Sequence, residues 1–334
     1  MGATAFGQSV TTVPVGAITY SLPATTQLTG TYVALPLTNQ AVFSGPVLSF
    51  SSTTITFSGS PFSSGALSQS GSPFFARIAT GAQAGRIVLI LANTTNSITV
   101  DVTDHSSQTT NLDSSGFSLA SNDRVEVIVG DTLASFFGDN SVNNPLLIVG
   151  ASGALSADSI SIYNKSLSKY DAYYFNTTSG YWRLTSVNSN ANNTILYPQE
   201  GFVINQRAGR SAMQITIIGD VPVGSTLIKV MGSSTGALCS TTFPAPMSLS
   251  QLNIVNWTKS NSALSADTIG IYNPLTSKSD AYYQKLDNTW RKVGDSVTDQ
   301  SAFIIATGQA FTVLKRATVS GSSSYLSFQI PYTL

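Results

Sequence analysis

One long stretch of the sequence occurs twice in the chain. It reads ALSADSISIYNKSLSKYDAYYFNTTSGYWR at residues 154–183 and ALSADTIGIYNPLTSKSDAYYQKLDNTWR at residues 263–291. More than half of the aligned positions are identical, and the copies differ in length by one residue between the DAYY and WR motifs. Single-residue length changes are best tolerated at loop tips. The pattern therefore predicts a hairpin with DAYY and WR as its strands, within a duplicated unit at about residues 151–210 and 260–320.

Strand-like patterns continue outside the repeat. The runs RIVLIL and SITVDV flank ANTTN within residues 86–102, and residues 47–59 read VLSFSSTTITFSG. Both arrangements are typical of hairpins. The runs RVEVIVG, MQITIIG and STLIKVMG have the same alternating character. The sequence therefore predicts an all-β fold of antiparallel sandwich or small-barrel domains.

Composition favours the same fold class. Charged residues make up 10% of the chain, against roughly 25% in an average soluble domain. The only glutamates are Glu126 and Glu200, so the Glu- and Lys-rich faces of exposed helices are missing. We expect three β domains: an N-terminal domain at residues 1–145 and repeat-containing domains at 146–250 and 251–334.

Charge and cysteine content argue against several functional classes. The formal net charge is zero without a block of like charges, which predicts no nucleic-acid partner. No run of 18 apolar residues occurs, which predicts no membrane insertion. Cys239 is the only cysteine, so neither an intrachain disulfide nor a cysteine-rich metal cluster can form. We expect no cofactor and assign no metal ligands, although Asp- and Asn-rich loops such as GDNSVNN leave bound calcium open.

The sequence does not favour an enzyme. His105 is the only histidine, and any Ser-His-Asp hydrolase would have to use it as its base. No G-x-S-x-G nucleophile motif precedes a helical pattern. We therefore assign no catalytic residues and regard His105 as a loop residue.

The best acidic candidates recur in both copies. Asp158 and Asp171 of the first copy correspond to Asp267 and Asp280 of the second. An active site is seldom needed twice, whereas a residue that builds the fold is needed in each copy. We expect the second acid of each copy to form an ion pair across the hairpin, as Asp171 with Arg183 and Asp280 with Arg291.

Aromatic side chains are the remaining repeated feature. Such residues can form a surface on which sugars stack, although strand aromatics more often contribute to cores or interfaces. Successive strand residues point to opposite faces, so only one tyrosine of each adjacent pair can join such a surface. The candidate ligand or interface residues are Tyr173, Tyr174, Trp182, Tyr282, Tyr283 and Trp290.

The chain also resembles a known group of sequences. The stretches that show this resemblance are QSVTTVPVGAITYSLP, FFARIATGAQAGRIVLILANTTNSITV and the two IYN…DAYY…WR units. With these stretches the chain is similar to an uncharacterised family of secreted β-rich paralogues of Verrucomicrobium-type bacteria. The resemblance implies export to the extracellular space or cell surface, through a signal peptide that MGATAFGQSV does not contain. It implies no activity and no functional residues.

These observations favour an architectural role. We expect a secreted structural protein, a self-associating subunit of a surface layer, fibre or coat held by β-surface contacts. The alternating stretches TTVPVGAITYSLP and SYLSFQIPYTL near the chain ends could add to a neighbour's sheet, or close as ordinary edge strands within the molecule. The alternatives are a glycan-binding or adhesin module and, less favoured, a secreted hydrolase.

Overall fold

The computed structural model describes residues 14–102, 117–165, 167–230, 237–255, 257–274, 276, 278–316 and 324–332. Strands dominate these residues, which confirms the all-β fold class. The helical segments described are short: α1 (Leu133–Phe137) and a 3-10 turn at Leu249–Gln251. The strands are β1 (Val15–Leu22), β2 (Thr29–Ala34), β3 (Ala41–Ser51), β4 (Thr54–Phe57), β5 (Phe74–Ile78), β6 (Ile87–Asn93), β7 (Ser97–Val100), β8 (Arg124–Val129), β9 (Asp131–Thr132), β10 (Ser159–Asn164), β11 (Lys169–Asn176), β12 (Tyr181–Leu184), β13 (Ile195–Leu196), β14 (Gly201–Gln206), β15 (Met213–Asp220), β16 (Thr226–Val230), β17 (Leu238–Cys239), β18 (Met247–Ser248), β19 (Asn253–Val255), β20 (Thr268–Asn273), β21 (Lys278–Gln284), β22 (Trp290–Lys292), β23 (Ile304–Ile305), β24 (Phe311–Leu314) and β25 (Ser324–Phe328).

Strands β3 to β8 close into an antiparallel barrel in the order β3-β4-β7-β6-β5-β8. The hairpins β3–β4 and β6–β7 confirm the two hairpins predicted in this region. Alternate side chains of these strands point inward, as the period of two requires. The barrel core includes the buried side chains of Val47, Ile55 and Val127. Phe75 of β5 is also buried, and its ring contacts Tyr197 of the first unit.

The remaining strands form two units of the same topology. The first unit contains a five-stranded sheet of order β12-β11-β10-β14-β2, and the second a sheet of order β22-β21-β20-β24-β17. Each unit adds a short pair, β13-β9 or β18-β23, and a ribbon built on β15 or β25. The predicted hairpins appear as β11–β12 and β21–β22. The duplication therefore extends beyond the predicted range to every described strand outside the barrel except β19, which has no counterpart strand in the first unit.

Equivalent hydrogen bonds show which residues of the two units correspond to each other. Leu133 N donates to Thr194 O at 2.9 Å in the first unit, and Leu249 N donates to Phe303 O at 2.9 Å in the second. Ala191 N donates to Trp182 O at 2.8 Å, as Gln300 N does to Trp290 O at 2.8 Å. Thr194 and Phe303 therefore occupy equivalent positions.

The barrel is an insertion into the first unit. It lies between β2 and β9, where the second unit has only the short connection from β17 to β18. The two ends of the insertion are neighbours, since Ala41 pairs with Ile128 and Asn39 Nδ2 donates to Val129 O at 3.2 Å. Strands β1 and β2 pair with β15 and β14. The strand pairing thus differs from the expected grouping of residues 1–145, because the chain leaves the first unit after β2 and returns to it at β9.

The two units contact each other through equivalent positions. Val33 forms a bridge with Gln309, and Cys239 forms the matching bridge with Glu200. Tyr32 stacks on Tyr272 with ring centroids 4.4 Å apart beside these bridges. A small apolar cluster fills the contact, and its members are Ala34, Val203, Leu238 and Ala310. The units therefore meet as a pseudo-symmetric pair inside one chain.

Cys239 offers a chemical test of this contact. Burial raises the pKa of its thiol to about 12, so almost no reactive thiolate exists near neutral pH. We expect Ellman's reagent to label Cys239 far more slowly in the native protein than in urea. Equal labelling rates at pH 8 in the two conditions would contradict the buried position of Cys239 between the units.

Candidate functional site

Most of the repeated aromatic residues lie in the core. Trp182 and Trp290 are 0% and 1% exposed. Tyr174, Tyr282 and Tyr283 are also buried, whereas Tyr173 is partly exposed. The hypothesis that the six residues form a sugar-stacking surface is therefore not supported, because no indole face reaches solvent.

Ring contacts within each unit account for the burial of the two tryptophans. In the first unit Trp182 contacts Phe137 and Phe175, with ring centroids 5.8 Å and 6.0 Å away. Its Nε1 donates to Gly138 O at 2.7 Å. In the second unit Trp290 packs against Trp257 at 6.1 Å. The two tryptophans anchor the cores of the two units.

The predicted ion pairs across the hairpins are wrong in their partners. Asp171 lies 3.6 Å from the ammonium of Lys169, and Asp280 lies 2.9 Å from that of Lys292. Strand register explains the difference for the first unit, since Tyr174 and not Asp171 lies opposite Arg183. In each copy the carboxylate accepts from an asparagine side chain of the preceding strand, at 2.7 Å for Asp171 and 3.0 Å for Asp280.

The other repeated acids are structural. Asp158 accepts from Arg207 N at 2.8 Å and from Arg210 Nε at 2.9 Å. Asp267 accepts from Arg316 N at 2.6 Å and forms a buried ion pair with Lys315. Each carboxylate ties the end of β14 or β24 to a loop that precedes β10 or β20, since Val149 N and Thr258 N also donate to it.

Clusters of metal-binding side chains are not evident in the described part of the chain. It contains no group of three or more His, Cys, Asp and Glu side chains able to hold a metal ion. His105 lies outside the described residues. None of the helices described is long and apolar enough to cross a bilayer.

The ribbon of β1 and β15 is the most distinctive surface element. It is formed by eight residue pairs from Val15–Asp220 to Leu22–Met213. Its one charged residue is Asp220, which lies opposite Val15 at the end of the ribbon and is 5% exposed. The outward face includes Val15 and Ile218, which are 67% and 70% exposed. Long ribbons with so few charges are templates for pairing with another chain unless charge or proline blocks them.

Both candidate terminal strands close within the molecule. The first candidate contributes β1, which pairs with β15. The second contributes β25, which pairs with β16 and with β19. The alternative of ordinary strands paired inside one chain therefore describes both of them.

One edge of β15 is left without a neighbouring strand among the described residues. Val221 N donates toward β1, to Pro14 O at 2.8 Å, whereas Asp220 N donates to Thr38 O on the opposite side at 2.7 Å. Since strand amides alternate in direction, the N–H groups of Thr216 and Ile218 point away from β1. A cavity of about 230 Å³ lies beside this edge, with Leu37 and Phe136 among its walls.

Comparison with protein-family models, curated proteins and solved structures gave no match. The resemblance to secreted bacterial paralogues therefore stays a prediction.

Proposed function

We propose that the protein is an exported structural subunit that self-associates by adding a β-strand of a second copy to the outer edge of β15. The observation that carries this proposal is the difference between the two units. In the second unit β25 lies between β16 and β19. In the first unit the described residues place only β1 beside β15, and the opposite edge of β15 forms a single bridge, from Asp220 to Thr38. The second unit thus displays the three-stranded arrangement that the first would reach on receiving a strand.

The chemistry of the edge supports a second copy as the occupant. Neither β1 nor the outer edge of β15 up to Ile218 carries lysine, arginine or proline, the residues that commonly protect edges. The chain has zero formal net charge, so identical copies do not repel one another strongly. Strand addition uses backbone hydrogen bonds for affinity and adjacent pockets for side chains, and the cavity beside Thr216 provides such a pocket.

Placing a charge on this edge tests the proposal. Ile218→Lys is expected to shift the protein from assemblies toward monomers, because a lysine on an edge strand disfavours pairing with a second strand, and the lysines of two copies would repel each other across the new pair. Light scattering after size-exclusion chromatography, together with negative-stain electron microscopy, measures the shift. Val142→Lys is the matched control, since Val142 is 99% exposed and lies outside the ribbon.

A second variant probes the backbone directly. Thr216→Pro removes an N–H that points away from β1 and leaves the β1–β15 ladder intact. It should weaken association as Ile218→Lys does. A wild-type protein that stays monomeric at high concentration, or an Ile218→Lys variant that assembles like wild type, would contradict assembly through this edge.

A further inference from the structure

A cavity of about 330 Å³ opens on the first unit at the face of β10 and β11. Tyr163, Tyr173 and Tyr197 contribute aromatic surface to it, and Asn164, Asp171 and Thr194 contribute polar groups. Its volume falls at the lower end of the range for small-molecule pockets, roughly 300–1,000 Å³. We call it the tyrosine cavity.

The second unit closes the equivalent position. Phe303, the counterpart of Thr194, packs its ring on Tyr282 with centroids 4.7 Å apart. Tyr282 is the counterpart of Tyr173, because both stand two residues after the repeated aspartate. Ala306 replaces Tyr197, since Gln309 N donates to Ala306 O at 3.0 Å as Glu200 N does to Tyr197 O at 3.0 Å. The first unit thus has Tyr197 where the second has Ala306, and it has Thr194 in place of the ring that fills the equivalent space in the second.

The walls of the cavity are fixed by contacts outside it. Tyr197 makes an edge-to-face contact with Phe75 of the barrel at 5.6 Å. Tyr163 makes a similar contact with Tyr170 at 5.2 Å. Because these rings are held before any ligand arrives, binding would cost little ordering of side chains.

The charges around the cavity are compensated locally. Lys165 forms an ion pair with Glu200 at 2.5 Å. Asp171 accepts from Asn164 at 2.7 Å and lies 3.6 Å from the ammonium of Lys169. A charged ligand would compete with these pairs, whereas a ligand with several hydroxyl groups can bond to the remaining lone pairs and N–H groups.

We propose that the tyrosine cavity binds a neutral saccharide, with a sugar ring against the tyrosine faces and its hydroxyl groups on Asp171, Asn164 and Thr194. Tyrosine suits this ligand because its ring offers apolar surface and its hydroxyl a hydrogen bond. The site is independent of the β15 edge, so each proposal can fail without the other.

The difference between Thr194 and Phe303 in the two units suggests the variant that tests this proposal. Thr194→Phe installs the residue that the second unit already accommodates at the equivalent position, and it should fill the cavity. On an array of neutral glucose-, mannose-, galactose- and N-acetylglucosamine-based di- to tetrasaccharides, the wild-type protein should bind at least one member. Calorimetry with that saccharide should show affinity reduced about tenfold or more by Thr194→Phe. The melting temperature should stay close to that of wild type.

Two further variants keep the test decisive. Tyr197→Ala, which copies Ala306, should also weaken binding, and it serves if Thr194→Phe fails to fold. Phe303→Thr changes the equivalent residue of the second unit and should leave the affinity of the first unit unchanged. Absence of binding to every saccharide on the array, or wild-type affinity in both Thr194→Phe and Tyr197→Ala, would overturn the proposal.

Discussion

Replacing Trp182 or Trp290 with alanine is expected to lower the free energy of unfolding by about 3–5 kcal/mol. Both indoles are fully buried, at 0% and 1% exposure, so each truncation leaves a cavity among ring side chains. Urea unfolding followed by circular dichroism measures the effect. Unchanged unfolding in either variant would mean that the corresponding indole lies on the surface, as a sugar-stacking role would require.

Phenylalanine substitutions at the same two positions test the contribution of the indole N–H groups. Trp182 Nε1 donates to Gly138 O at 2.7 Å, whereas the buried Trp290 Nε1 has no hydrogen-bond partner among the described residues. Trp182→Phe leaves the carbonyl of Gly138 without this donor. It should therefore lower the free energy of unfolding by about 1–3 kcal/mol more than Trp290→Phe does. Equal losses would show that the Gly138 hydrogen bond contributes nothing to stability.

The second large effect is expected at Lys315. Its ammonium forms an ion pair with Asp267, and both residues are buried, at 5% and 0% exposure. Lys315→Met leaves the carboxylate in the core without its cation, which should cost about 3–5 kcal/mol. Asp267→Asn combined with Lys315→Met should recover part of this loss, because it removes the uncompensated charge.

The equivalent residue of the first unit is a matched control. Gln206 occupies the position of Lys315, one residue before the arginine whose N–H binds the repeated aspartate. In the part of the chain that the structure describes, neither polar atom of its buried side-chain amide has a hydrogen-bond partner. Gln206→Met should therefore be neutral or stabilising. A loss at Gln206→Met as large as that at Lys315→Met would contradict the ion-pair explanation.

Local patterns in the sequence predicted local structure well. The one-residue length difference located the β11–β12 and β21–β22 turns, and alternation located hairpins such as β6–β7. The sequence did not reveal that β1 and β2 belong with β14 and β15, because the paired residues lie far apart in the chain: Ala34 pairs with Gly201, and Val15 pairs with Asp220. Pairings between distant strands depend on tertiary packing that no short window contains.

The candidate site was predicted less well. Residues that the two copies share are mostly core residues, so selecting shared residues selects the core. Trp182 and Trp290 recur because each unit needs the same anchor, and recurrence therefore indicated packing and not a ligand surface. Of the six candidate aromatic residues, Tyr173 is the one that lines the tyrosine cavity. The signal for that cavity was a difference between the copies, Thr194 against Phe303, and its meaning depends on knowing that the Phe303 ring lies on Tyr282.

Excision of the barrel tests most directly that the chain is one β unit used twice, with the barrel inserted into the first. Residues 41–129 would be replaced by the short connection that follows β17, residues 240–246. All three tryptophans, at positions 182, 257 and 290, lie outside the barrel, so their fluorescence reports on the two units alone. We expect blue-shifted emission and cooperative unfolding in the shortened chain. Emission typical of solvent-exposed tryptophan, without a cooperative transition, would contradict the two-unit architecture.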